Sequence, residues 1–212
     1  MKKISRTESE TRTYHHGDLR RALVQAALVI VTEEQDWTFS LREVARRAGV
    51  SHNAPYMHFT DKSDLLAAVA AAGMERLGEK MQAVVVGIED PAEALLASGL
   101  AYVRFGIKNP ALYRLVFGPT LAASGERPSV TREAGDRTRL VLEQVIERGA
   151  KSGAFAVSPD DPSGLAIATL TAWSAIHGLT TLVIDSLARP PIPVDQLAER
   201  VAKTVLDGLK PR

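Results

Sequence analysis

The chain reads as an all-α protein of about nine helices: a small N-terminal head of three helices, then a larger helical body. Three observations predict this. Apolar residues recur at helical spacing through most of the 212 residues, while strand-like alternation of useful length and internal repeats are missing. Capping residues, glycines and prolines punctuate the periodic segments where helices start and stop. Hydrophobic residues make up 45% of the chain and charged ones 24%, enough apolar surface for a real core in a soluble protein.

Residues 1–13 are polar and read as an arm, residues 14–62 as the head and residues 63–212 as the body. The first helix starts near Asp18 and ends near Gln35, with Leu23, Ala26, Ala27, Ile30 and Val31 on one stripe. Trp37 and Phe39 then add bulk to a small core. Ser40 is an N-cap and Glu43, three residues on, completes a capping-box pattern for a second helix whose buried stripe is Leu41, Val44, Ala45 and Ala48. Gly49 suits a left-handed turn at its end. Ser51 caps a third, short helix from His52 to about His58, with Pro55 tolerated in its first turn. Thr60 or Asp61 caps a fourth helix running toward Val85. Further helices are expected at about 92–108, 110–118, 129–151, 162–187 and 194–209, separated by Asn109-Pro110, Gly118–Pro128, Gly153–Pro162 and Arg189-Pro190-Pro191.

Several classes are excluded or narrowed. With no cysteine there is neither a disulfide framework nor a thiolate metal site, which fits a reducing, cytoplasmic setting. The first residues lack the apolar run of a signal peptide. Pro162 to Ile184 contains no Asp, Glu, Lys or Arg and is long enough to span a bilayer. Its seven Ser, Thr and His residues favour burial all round in protein instead, so no membrane is expected. No nucleophile motif, phosphate loop or dinucleotide fingerprint occurs, and His15-His16 lack a carboxylate at useful spacing. Neither a cofactor nor a metal is expected.

The segment from Ser40 to Lys62 carries the functional signal. A helix, a Gly turn and a second helix with polar residues at its start is how a small domain places a helix in the DNA major groove. Ser51, His52 and Asn53 are the exposed leading positions, where Asn can pair with adenine and His can donate to guanine. Tyr56 and His58 fall nearer the phosphates, and Lys62 sits on the first turn of the following helix, whose amides favour an anion. Arg46 and Arg47 flank the site. Net charge is only +1, and residues 1–64 hold ten Lys/Arg against nine Asp/Glu, so affinity must come from local placement of cations and from two linked copies. Each residue alone also fits a helix cap or a solvated charge; the combination within 23 residues is the signal.

These residues resemble the DNA-binding domain of the TetR (tetracycline-repressor-like) family. The shared pattern is Ala45, Ala48, Gly49 and Val50, then Tyr56, His58 and Phe59, then Lys62 and Leu65; Tyr14 to Arg20 is similar to the entry of the first helix in one subgroup. The resemblance implies that Ser40, Tyr56 and Lys62 touch phosphates, that Ser51, His52 and Asn53 face bases, and that Phe59 is core. Met57 departs from the pattern, where a basic residue is common.

In the body, residues 101–119 and 172–182 resemble the subgroup with a Trp-x-x-x-His-Gly element, here Trp173, His177 and Gly178. Tyr102, Phe105, Tyr113, Phe117 and Trp173 hold most of its aromatics and, if they converge, line an apolar cavity with a few polar groups; simple core packing is the alternative. His177, four residues after Trp173, faces either a ligand or a neighbouring hydroxyl. The resemblance implies a homodimer through helices 162–187 and 194–209. The expected function is a ligand-responsive dimeric repressor that binds a palindromic double-stranded DNA operator, its reading helices about 34–36 Å apart, and is released by a small molecule. Alternatives are an activator of the same fold, or a helical carrier or enzyme using His177 with an acid such as Asp185.

Overall fold

A computed structural model describes residues 16–122, 125–189 and 191–211. The expected arm (1–13), Tyr14 and His15 lie outside the described residues. Among these there are eight α-helices: α1 (His16–Glu34), α2 (Leu41–Arg47), α3 (Lys62–Val85), α4 (Pro91–Lys108), α5 (Pro110–Phe117), α6 (Ser129–Lys151), α7 (Pro162–Ile184) and α8 (Val194–Leu209). Two 3-10 turns, Ala54–Met57 and Thr120–Ala122, complete the described elements, and no strand occurs among them.

The expected third helix is therefore one 3-10 turn. Pro55 has no N–H, so the bond that would start an α-helical ladder across this segment cannot form. Ala54 N–H instead reaches Ser51 at 3.0 Å and Tyr56 N–H reaches Asn53 at 3.2 Å. Ser51 is not its cap: Asn53 occupies that place, without a side-chain bond. The other expected caps form. Ser40 accepts from Glu43 N–H at 3.2 Å, but the Glu43 carboxylate turns to Arg46 rather than back to the cap, so only half of the capping box exists. Asp61, not Thr60, caps α3, accepting from Asp64 N–H at 2.9 Å, and Thr60 N–H donates to the Asp64 carboxylate at 3.1 Å. Gly49 sits at φ +69°, where a side chain would be strained.

The head closes around Leu23, Ala27, Val31, Val44, Phe59 and Leu65, all almost fully buried. The Asp36 carboxylate holds the corner between α1 and α2 by accepting from Trp37 and Thr38 N–H and from the Thr38 hydroxyl. Arg20 stacks over the Phe59 ring at 5.0 Å and Lys62 over the Phe39 ring at 5.1 Å, fastening α1 and α3 to this core.

The helix that leaves the head enters the body. Over its 24 residues α3 spans about 36 Å and packs along α6 and α4. On α6, Thr131, Ala134, Thr138, Leu142 and Val145 form the facing stripe, and the Thr138 hydroxyl bonds the Met74 carbonyl of α3 at 2.9 Å. Both α4 and α7 begin with an Asp cap and a proline at the first helical position: Asp90 with Pro91, Asp161 with Pro162. Within one chain the helix α7 is covered along one side only. It packs on α4, α6 and α8 along one side, while Ile167 and Leu170 are 65% and 56% exposed on the other. Three neighbours in one chain cover only one face of a helix.

Candidate nucleic-acid interface and body cavity

The first polar residues after Gly49 are exposed on the head. Ser51, His52, Asn53 and Tyr56 are exposed, while Ala54, Pro55 and Phe59, between and beside them, are buried. Alternate residues thus anchor the turn and leave its polar members outward. Tyr56 is 55% exposed and Met57 79%, so an apolar side chain stands out beside the phenol. Ser40 is exposed at the start of α2 and its hydroxyl already serves the helix as a cap. His58 is half-buried. Arg46 is exposed and paired to Glu43 at 3.1 Å, a contact weak enough to be exchanged. Arg47 turns away to Glu33 of α1. Lys62 is half-buried on the first turn of α3; burial lowers its pKa and the Asp36 charge partly offsets this. Arg42 is a further exposed cation on α2.

The body holds a cavity of about 580 Å³ between α3, α4, α6, α7 and α8. Met74, Leu77 and Met81 of α3 form one wall, Trp173 and Ile176 of α7 another. Of the expected ligand residues, Tyr102, Phe117, Trp173 and His177 line it. Phe105 and Tyr113 are buried but do not belong to its lining. Phe105 is core, and Tyr113 stands behind His177, its ring stacked on the imidazole with centroids 5.6 Å apart.

Four polar side chains form a knot there. Tyr102 Oη lies 2.8 Å and Tyr113 Oη 2.7 Å from His177 Nδ1. Trp173 Nε1–H donates to Tyr102 Oη at 3.3 Å. Burial pushes both phenol pKa values up and holds the His177 pKa below its ordinary value. Burial thus favours the neutral form of all three groups.

Asp185 does not join this knot. Its carboxylate accepts from Arg114 Nε at 2.8 Å, so the acid–base pair of the enzyme alternative is not assembled. The sequence reading also missed the polar wall contributed by α6 and the loop before it: Arg127, Thr131, Arg132, Asp136, Thr138 and Arg139. The signal available was the run of small and polar residues at Thr131, Gly135 and Thr138, at helical spacing but without an aromatic to draw attention.

Comparison with known proteins agrees with both halves. Residues 31–69 match the family described as bacterial regulatory proteins, tetR family, and residues 95–205, just over half of the chain, match the tetracyclin repressor-like C-terminal domain. A structure of a protein of unknown function from Rhodococcus sp. RHA1 superposes with a TM-score of 0.77 at 30% identity, covering 94% of this chain and 100% of that one. The HTH-type transcriptional repressor KstR2 of Rhodococcus jostii is 25% identical over 195 residues, 90% of each protein. An uncharacterized HTH-type transcriptional regulator of Mycobacterium tuberculosis is 27% identical over 143 residues; that match spans 66% of this chain and 64%, just under two thirds, of the relative's length. With a reading turn on a closed helical head, a hollow helical body, and family matches to both, the chain belongs to the TetR family of bacterial transcriptional regulators.

Proposed function

We propose that the protein is a cytoplasmic, dimeric repressor that binds a palindromic operator and leaves it when a small molecule enters the body cavity. One observation carries this reading: α3 belongs to both sites. Its first residue, Lys62, stands in the head, and Met74, Leu77 and Met81 of the same helix line the cavity. A helix is stiff over this length, so a ligand that moves its cavity segment also moves the head. The ligand must bind the two arrangements unequally to shift them. In this reading Ser51, His52 and Asn53 face base edges, and Ser40, Arg46, Tyr56, His58 and Lys62 face phosphates.

The dimer is proposed through α7 and α8. The α7 helix is long and apolar enough to cross a membrane, and under a third of its most apolar stretch is buried in one chain. Its outer side carries Ile167, Leu170 and Leu182 with no charge. A second copy of this face is a simple cover for it, since two-fold symmetry makes the surface self-complementary. The test is selection of duplexes from a random pool, followed by light scattering of the complex. Enrichment of an inverted repeat bound by two or four chains is expected. Enrichment of no sequence, or a single chain on each duplex, would overturn the proposal.

A further inference from the structure

Charge on the cavity wall is confined to one stretch of chain. Among the described residues, every Asp, Glu, Lys or Arg on the lining falls between Arg127 and Arg139, on α6 and the loop before it: Arg127, Arg132, Asp136 and Arg139. The parts of α3, α4, α5, α7 and α8 that line the cavity contribute none, and most of what they present is apolar, led by Met74, Leu77, Met81, Trp173 and Ile176. Burial disfavours the charged imidazole of His177, so it adds no fixed cation. The wall is therefore amphipathic, with its guanidiniums gathered on a single element.

Arg127 is the cation of this group without an acid. It is half-buried, and its Nη1 and Nη2 donate to the carbonyls of Val116, Phe117 and Gly118 at the C-terminal end of α5. Those bonds hold the side chain in place but leave its Nε–H unengaged. A helix end offers roughly half an elementary charge, so the guanidinium is only partly compensated. No carboxylate pairs with it among the described residues. The other two arginines are paired but not saturated. Arg132 donates to Glu126 through Nη1 alone, and Arg139 donates through Nη1 to Glu143 and through Nη2 to Asp136. Neither Glu126 nor Glu143 lines the cavity. Pairs this accessible to solvent contribute only about 0–1 kcal/mol and exchange readily for a better partner. Arg132, Asp136 and Arg139 follow one another at helical spacing, so they stand along one edge of α6.

We propose that the cavity takes an anionic amphiphile, its apolar body among Met74, Leu77, Trp173 and Ile176 and its carboxylate or phosphate head bound by Arg127 together with Arg132 and Arg139. The inference deepens the repressor reading and rests on it only in calling the ligand an effector. Arginine suits either head, because its planar fork matches paired oxygens. An uncharged ligand that filled the cavity would exclude water from these guanidiniums and leave buried N–H groups unmatched, at about 1–3 kcal/mol each. A cationic ligand would meet three guanidiniums and one carboxylate that Arg139 already holds.

Calorimetric titration of the full chain, without DNA and below micelle-forming concentrations, compares decanoate, decyl phosphate and decan-1-ol, which share one tail. The better-bound anion should exceed the alcohol about tenfold, the low end of what a hydrogen bond to a charged group contributes. That lead should shrink as salt rises, because the arginines at α6 are open to solvent. It should fall in Arg127→Gln, and also in the double variant Arg132→Gln with Arg139→Gln, while decan-1-ol binds as before. Either anion ahead of the alcohol supports the inference, and the tighter of the two names the head group. An alcohol bound as tightly as both anions, binding of none of the three, or a lead that survives undiminished in both variants would overturn it. Because Arg127 also holds the end of α5, Arg127→Gln can fail to fold; an undiminished lead in the double variant, which changes only exposed pairs, then overturns the inference by itself. Sequence-specific DNA binding is recorded on the same preparation. Anion binding without operator selection counts against the repressor reading alone, and operator selection without an anion preference counts against this inference alone.

Discussion

Replacing Lys62 by methionine asks whether this side chain is a phosphate ligand or only part of the head. The structure offers it both roles. Its ammonium lies 5.1 Å above the Phe39 ring and feels the Asp36 charge, which is a structural position. It is also the first residue of α3, where helix amides favour an anion. Methionine keeps a stem of similar length over Phe39 and removes the charge. A phosphate contact releases counterions, so each one adds about 0.9 to the slope of log affinity against log salt. Two heads on one operator hold two such lysines, so the slope should fall by about 1.8 in Lys62→Met. From about 50 to 200 mM salt, a fourfold rise, the wild-type advantage should then shrink about twelvefold. Fluorescence anisotropy with a selected duplex across that range reads it. Weakening by one constant factor at every salt concentration would refute the reasoning and leave Lys62 as a clamp on the corner between α1 and α2.

Three more outcomes are expected. In Gly106→Ala, the new Cβ would collide with Thr180 Cγ2 and meet the Tyr113 ring at 3.1–3.2 Å, and Thr180 is fully buried with its hydroxyl on the Ile176 carbonyl. Overpacking of about 1–3 kcal/mol, less about 1 kcal/mol of helix propensity, leaves a net loss of about 0–2 kcal/mol. The Tm should drop by up to roughly 8 °C, and a higher Tm would contradict the close approach of α4 and α7. Ile167→Asp places a charge on the uncovered face of α7 without touching the core, so light scattering should report monomers of unchanged circular dichroism; a persistent dimer would place the interface elsewhere. For His177, burial lowers the folded-state pKa, so the unfolded chain takes up a proton first as pH falls below about 6.5 and stability is lost from there downward. The Tm should fall more steeply between pH 7.5 and 5.5 in the wild type than in His177→Asn, and parallel profiles would mean that the imidazole titrates as if exposed.

Much of the architecture was legible before any coordinates. Caps and breakers work within a few residues, so Ser40, Asp61, Gly49, Asn109-Pro110 and Pro162 marked their boundaries directly, and α6 and α8 begin and end where the spacing placed them. The third helix of the head was misjudged for an equally local reason: Pro55 was taken as tolerable in a first turn, where few backbone bonds are lost, but the donor it lacks is the one that would start the α-helical ladder. Which chain covers the outer face of α7 was not legible, for a non-local reason. A charge-free helix looks the same in sequence whether its neighbours come from its own chain or from another.

By itself, the sequence determined that the chain is helical and where its helices start and stop. It also determined that a Gly turn with polar residues beyond it stands ahead of a hollow-capable body, because periodicity, capping and backbone permission are properties of neighbouring residues. Only the tertiary structure decided which aromatics share the cavity, separating Tyr102, Phe117 and Trp173 from Phe105. It alone brought Tyr102 and Tyr113, 75 and 64 residues away in the chain, onto one nitrogen of His177, and sent Asp185 to Arg114 instead. The reason is distance in sequence: a hydrogen bond depends on ångströms between atoms, and across that many residues only the packing of whole helices sets them.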